Sequence, residues 1–177
     1  SSDLKPRFMV FQDLEVTRNL KDYIKNYDGN LIFSSYLILK INELKLKNPF
    51  IFHHHFLDHS HRESHSSYSY KTTKDVKKFI YDGYTVIYSA IELALFLDYE
   101  EIYLIGVDAN YSKSLEDRNI ISHGKVDPTY QDAGERICFS IKSMVKEKEI
   151  ILFNSSKSSK LKFLNFKDEI DGKKIID

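Results

Sequence analysis

Glu101-Ile102-Tyr103-Leu104-Ile105-Gly106-Val107-Asp108 is the stretch on which the fold turns. It is a continuous apolar run of strand length, closed abruptly by a carboxylate. A strand with one wet face would alternate apolar and polar residues. An unbroken run is expected of a central parallel strand covered on both faces. Just upstream, Thr85 opens the segment Val86–Leu97, which is apolar almost all round and reads as a deeply packed helix. Downstream, a polar segment from Ala109 to Asp132 leads into a helical pattern over Ala133–Lys148. That helix carries Ile137, Cys138, Ile141, Met144 and Val145 on one stripe. Ile150-Ile151-Leu152-Phe153 follows as another core strand and ends in Asn154-Ser155-Ser156.

The same alternation extends toward the start of the chain. Arg7-Phe8-Met9-Val10-Phe11 is a strand-length apolar run ending in Gln12-Asp13. Thr17 then caps an expected helix with Leu20, Tyr23, Ile24 and Tyr27 at helical spacing, stopped by Asp28-Gly29-Asn30. Leu31-Ile32-Phe33 reads as a second buried strand, ending in Ser34-Ser35, which introduces a helix bearing Leu37, Ile41 and Leu44. Pro49-Phe50-Ile51-Phe52 is a third strand and runs into His53-His54-His55. Residues 57–70 are rich in His, Ser and Tyr without periodicity, as in a long loop or lid. Thr72-Thr73 suggest a cap for a short helix through Phe79, and the tail from Lys157 to Asp177 suggests an edge strand or short helix.

Strands alternating with helices imply an α/β fold: a doubly wound, mostly parallel sheet with helices on both faces. In such sheets ligands bind outside the carboxyl ends of the strands. Here those ends carry Asp13, Ser34, Ser35, His53, His54, Asp108 and Asn154, so one polar rim is expected.

Composition narrows the classes. A length of 177 residues suits a single α/β domain over 1–177, and 42% hydrophobic residues suit a globular chain rather than a disordered one. Basic and acidic residues balance at 26 each, so no overall field recruits nucleic acid. The longest apolar stretch, Ala90 to Leu97, is too short to span a bilayer. Cys138 is the only cysteine, which rules out an internal disulfide and points to a reducing, cytoplasmic setting.

Each candidate residue has a plain alternative. Gly83-Tyr84-Thr85 opens a helix, whose unpaired N–H groups suit a phosphate, but a turn glycine and a threonine cap need no ligand. Asp108 could hold a ribose hydroxyl or a metal, or simply turn the chain out of its strand. His53, His54, His55, His59, His61 and His65 fall within thirteen residues, yet no cysteine accompanies them and the spacing matches no structural zinc pattern. A solvated polar loop fits better, and no metal is assigned. His123 in a polar loop is a candidate general base, or an exposed histidine. Tyr111 and Tyr130 could donate to a phosphate or pack, and Cys138 reads as core.

The block from Tyr81-Asp82-Gly83-Tyr84-Thr85-Val86 through Glu101–Asp108 resembles the domain shared by the archaeal 6-hydroxymethylpterin diphosphokinase-like family and the bacterial motility accessory factors that modify flagellin. The order G-x-T-V, apolar helix, E-E-I-Y-L-x-G-x-D, a loop histidine and a strand ending N-S is kept here, through His123, Asp127-Pro128-Thr129-Tyr130, Asn154-Ser155 and Lys160-Leu161. It is more distantly similar to the family 42 bacterial sialyltransferases. The likeness covers about Arg7 to Asp171, and only the block from Thr85 to Asp108 is fairly specific.

The resemblance implies a Rossmann-like sheet of the glycosyltransferase-A-variant type. It also implies roles: Asp13, Ser34, Gly83, Thr85, Asp108 and Asn154 for the nucleotide, Tyr111 as donor to the leaving phosphate, and His123 as the base that deprotonates the acceptor. The activity it implies is sugar transfer from a CMP-activated, sialic-acid-like donor to a glycan or glycoprotein acceptor, with no required cofactor. That places the chain in the bacterial cytoplasm or peripherally at the inner membrane face, and is compatible with a homo-oligomer. The alternatives are an ATP- and magnesium-dependent pterin diphosphokinase, with Asp13 and Asp108 on the metal, and a non-catalytic nucleotide-binding scaffold. The families' Gly-rich G-x-G-P-S-L loop has no counterpart here, so a sheet lacking its first β-α unit is expected, in a fragment or a shortened relative.

Overall fold

The computed structural model describes residues 6–55, 71–109 and 133–166. The fold is mixed α/β, and every strand pairing among these residues is parallel. The chain divides into two compact units. One comprises Ser1–Phe56 with Thr73–Asp82, the other Leu57–Thr72 with Gly83–Asp177.

In the first unit, β1 (Phe8–Phe11), β2 (Asn30–Ser34) and β3 (Phe50–Phe52) form a sheet in that order. Register runs from Phe8 opposite Asn30 to Phe11 opposite Phe33, and from Ile32 opposite Phe50 to Ser34 opposite Phe52. One residue beyond β3, β4 (His54–His55) pairs instead with β5 (Ile80–Tyr81). Parallel neighbours need a crossover, which α1 (Leu14–Asn19) and α2 (Lys21–Asn26) supply between β1 and β2. A 3-10 turn (Ser35–Leu37) and α3 (Ile38–Leu44) supply it between β2 and β3. The core collects Phe11, Ile24, Phe33, Leu37, Ile41 and Leu44. Phe11 and Phe33, opposite each other in register, stack with centroids 5.0 Å apart, worth about 1 kcal/mol beyond their burial.

The first crossover differs from the expected single helix. Asp13 caps α1, not Thr17: Asp13 has extended backbone and its carboxylate accepts the Val16 N–H at 2.8 Å. Thr17 is buried one turn inside the helix, where its hydroxyl donates to the Asp13 carbonyl at 2.6 Å. The helix breaks at Leu20, and of the expected apolar stripe Ile24 is buried while Leu20 and Tyr23 are exposed. The segment after Thr73 forms turns rather than a helix. The Asp75 carboxylate accepts from Lys77 N–H, and its carbonyl accepts from Lys78 N–H.

In the second unit, β6 (Glu101–Leu104), β7 (Ile151–Asn154) and β8 (Asn165–Phe166) form a sheet in that order. Its helices are α4 (Val86–Phe96) and α5 (Ala133–Lys148). β8 is the edge strand expected in the tail. β6 stops at Leu104, three residues short of the expected strand, and the chain then turns through Gly106 at φ +71. α4 packs on one face rather than all round: Tyr88, Ile91 and Glu92 are buried while Phe96 is exposed. Buried Glu92 lies 3.7 Å from Lys148 on α5, so its charge is compensated across the helix pair. On α5, Ile137, Ile141 and Met144 are buried as expected, whereas Cys138 is only half-buried.

The turn before α4 is unusual. Gly83 (φ +50) and Tyr84 (φ +65) are both left-handed, and the buried Arg136 guanidinium sits 5.5 Å from the Tyr84 ring centroid. A β-carbon on Gly83 would lie 1.9 Å from the Tyr88 ring, and Tyr88 is itself anchored by its hydroxyl to the Lys71 carbonyl at 2.7 Å. Gly83→Ala is therefore expected to cost about 2–4 kcal/mol in urea unfolding, from steric overlap and backbone strain together. Tyr88→Phe, which loses only the hydrogen bond, should cost about 1 kcal/mol.

Candidate functional site

The carboxyl ends of the strands present two polar edges, one in each unit. In the first unit the edge is organised by a buried pair. Ser34, the last residue of β2, shares a 2.8 Å hydrogen bond between its Oγ and His54 Nδ1. The same Oγ accepts the Tyr36 N–H at 3.2 Å, and Ser35 Oγ accepts the His54 N–H at 3.0 Å. Alternation explains the burial: from Phe52, which is buried, His54 falls on the same face, while His53 and His55 point to solvent. His54 also lies against Phe52, with ring centroids 5.6 Å apart. Ser34 thus shapes this edge, and its hydroxyl is fully enclosed.

Beside this pair lies an open depression of about 450 Å3, lined by Gln12, Asp13, Leu14, Glu15, Arg18 and Tyr36. Asp13 contributes to it while capping α1.

In the second unit, Leu104 of β6 stands opposite Asn154 of β7, and the loops that leave these strands are stitched together. Ser155 N–H donates to the Leu104 carbonyl at 3.0 Å, Ser159 Oγ to the Val107 carbonyl at 2.9 Å, and Lys160 N–H to the Asp108 carbonyl at 2.7 Å. Asp108 is exposed at this edge. Asn154 is buried and spends its amide locally: Oδ1 accepts Ser156 N–H at 3.0 Å and Nδ2 donates to the Ser156 carbonyl at 3.1 Å. Thr85 caps α4, its Oγ1 accepting the Ile87 N–H at 3.3 Å. A hydroxyl that accepts in a cap keeps its own proton to donate.

The expected residues thus fall into separate groups. Asp13 and Ser34 belong to the first unit, and Gly83, Thr85, Asp108 and Asn154 to the second. His123, Tyr111 and Tyr130 lie outside the described residues, as do His59, His61 and His65. Among the described residues, no group of three side chains able to hold a metal comes together. Asp13 and Asp108, named as carboxylates that could hold magnesium in the diphosphokinase alternative, belong to different units, and Asp13 caps α1.

Sequence reasoning did not anticipate the Ser34–His54 bond, the wall formed by Tyr36, or the Ser159 and Lys160 stitches. The strand alternation through Phe52-His53-His54 held the signal for the first. The stitches carry none, since a loop backbone contact leaves no pattern in residue type.

Family models, curated proteins and solved structures were each compared with this chain, and none matches.

Two expectations follow from this geometry. Ser34→Ala removes the hydroxyl from a buried imidazole and should destabilise by about 1–3 kcal/mol in chemical denaturation, with Ser34→Cys intermediate. Burial pushes the Cys138 thiol above its ordinary range, outweighing the opposing charge of Lys160. Since only the thiolate reacts, alkylation by iodoacetamide at neutral pH should run slower than for a free cysteine, and its rate should rise at a higher pH.

Proposed function

We propose that this chain is a glycosyltransferase-type domain of bacterial surface glycan or glycoprotein synthesis. In this reading it has a doubly wound, Rossmann-like layout and takes its sugar from a CMP-activated, sialic-acid-like donor. The observation that carries the reading is the stitched edge of the second unit. Two parallel strands end side by side, at Leu104 and Asn154, and their loops hold Asp108 exposed just beyond them. That is where ligands of parallel α/β sheets bind.

The chemistry makes four demands. The donor's phosphate needs hydrogen-bond donors, which the Thr85 hydroxyl and the start of α4 supply. The ribose needs an acceptor for its hydroxyls, a role suited to Asp108. Departure of CMP leaves new negative charge on its phosphate, and the acceptor alcohol must lose a proton as it attacks the anomeric carbon. By the resemblance, Tyr111 would meet the charge left on the phosphate and His123 would take the acceptor's proton. Asn154 shapes the loop, since its amide is already engaged by Ser156. No helix among the described residues is long and apolar enough to cross a membrane. The reading places the chain in the cytoplasm or at the inner membrane face, where nucleotide sugars are used.

A thermal-shift panel of CMP, CDP, UDP, ATP and ATP with magnesium tests this. At about a hundredfold excess over Kd, the bound ligand stabilises by roughly 2.7 kcal/mol. Stabilisation by CMP without magnesium is the expected result. A shift that requires ATP and magnesium would replace the reading with a diphosphokinase, and no shift at all would leave a scaffold. His123→Ala should abolish turnover with CMP affinity nearly unchanged, and full activity in this variant would remove His123 from the mechanism.

A further inference from the structure

The depression in the first unit has a chemistry of its own. Its walls offer two carboxylates (Asp13, Glu15), one carboxamide (Gln12), one guanidinium (Arg18), one aliphatic side chain (Leu14) and the aromatic ring of Tyr36. With two acidic groups and one basic, the lining is net negative, which disfavours a phosphorylated ligand. The volume of about 450 Å3 lies within the range of small-molecule sites, and the depression is open to solvent.

Tyr36 is the exposed platform of this site, with 58% of its surface accessible. Its position is not left to chance. The Tyr36 N–H is held by Ser34 Oγ, which is itself fixed by buried His54. A mobile surface tyrosine would lose ordering entropy on binding, whereas one whose backbone is tied to the sheet edge has less to lose. Asp13 is similarly placed: Oδ1 accepts the Val16 N–H, which orients the carboxylate and leaves Oδ2 for a ligand. Glu15 stands two residues further along the same helix.

We propose that this depression binds a neutral saccharide. A pyranose ring carries an apolar face of C–H groups, which suits the flat ring of Tyr36, and an equatorial girdle of hydroxyls. Vicinal hydroxyls donate to the carboxylates of Asp13 and Glu15, while Arg18 donates to ring or hydroxyl oxygens. Sugar acids and nucleotides are disfavoured by the two carboxylates. The proposal goes beyond the transferase reading, whose carrying observation lies in the second unit, and gives Asp13 and Ser34 roles in place of the nucleotide contacts that the resemblance implies for them.

The test is saturation-transfer NMR on the whole chain with the methyl α-pyranosides of glucose, galactose and mannose, and with N-acetylneuraminic acid and CMP as anionic comparisons. At least one neutral pyranoside should receive saturation, and its 2-deoxy or 3-deoxy analogue should bind more weakly. Tyr36→Ala should lower that affinity roughly tenfold or more, and Glu15→Gln several-fold. Both positions are exposed, so the fold should survive, as circular dichroism would confirm. Tyr23→Ala, an exposed tyrosine on α2, should change nothing. Absence of saturation on every neutral pyranoside would overturn the proposal, and so would binding that Tyr36→Ala leaves intact. Loss of the CMP thermal shift with pyranoside binding retained would sink the transferase reading alone. The reverse pattern would sink this proposal alone.

Discussion

Parallel pairing is the constraint from which the rest of this molecule follows. Two parallel strands cannot be joined by a tight turn, so each must be carried back to its starting edge by a crossover. The crossover has to bury its own apolar stripe, and the sheet face is the available surface. In the first unit this assigns the space between β1 and β2 to α1 and α2, and the space between β2 and β3 to the 3-10 turn and α3. Ile24, Leu37, Ile41 and Leu44 from those crossovers meet Phe11 and Phe33 from the strands in one core. The same constraint sends every carboxyl end to one side of its sheet. The polar residues that terminate the strands are gathered by topology before any ligand selects them.

Gathering polar groups at an edge creates a hydrogen-bonding problem, and the two units solve it differently. In the first, the solution is enclosed: Ser34 Oγ and His54 Nδ1 bond each other out of reach of water, Ser34 Oγ also accepts the Tyr36 N–H, and Ser35 Oγ accepts the His54 N–H. In the second, the solution is a backbone weave, in which carbonyls at Leu104, Val107 and Asp108 accept from the loop that follows β7. An enclosed pair makes a rigid support. A weave of loops leaves side chains such as that of Asp108 at the surface. Within each unit, bonds at the strand ends fix the loops, and the side chains suited to chemistry stand on those fixed loops.

Much of the architecture is legible in residue pattern, because burial imposes periodicity. The strands at Phe8–Phe11 and Ile151–Asn154 and the helix over Ala133–Lys148 stand close to where apolar spacing puts them. The failures are physical in kind. Asp13 and Thr17 are both good caps, and only the extended backbone at Asp13 decides between them. The apolar run after Glu101 reads as strand to Val107, but Gly106 takes a left-handed φ that ends pairing at Leu104. Cys138 sits on the apolar stripe of α5, yet the stripe rotates toward Ile137 and Ile141, which leaves the thiol half-buried. For the site, residue type marks Ser34, Asp108 and Asn154 as strand-end polar groups. It cannot say that Ser34 and Asn154 are consumed by partners while Asp108 faces outward, because that depends on which neighbour the chain brings within reach.

That distinction bears on how polar strand ends should be weighed. Asn154 bonds Ser156 through both amide atoms and is buried, so enclosure keeps its remaining N–H and lone pair from a ligand. A threonine that caps a helix is different, because the cap takes an acceptor lone pair and leaves the O–H free to turn outward. An aspartate that caps through one oxygen keeps the other, so Asp13 can hold α1 and still face the depression. Local bonding and ligand binding are therefore compatible where the side chain also reaches the surface, and in conflict where it is buried. By that measure Thr85 and Asp13 remain candidates for chemistry in their respective units, and Asn154 is the residue that builds the loop around it.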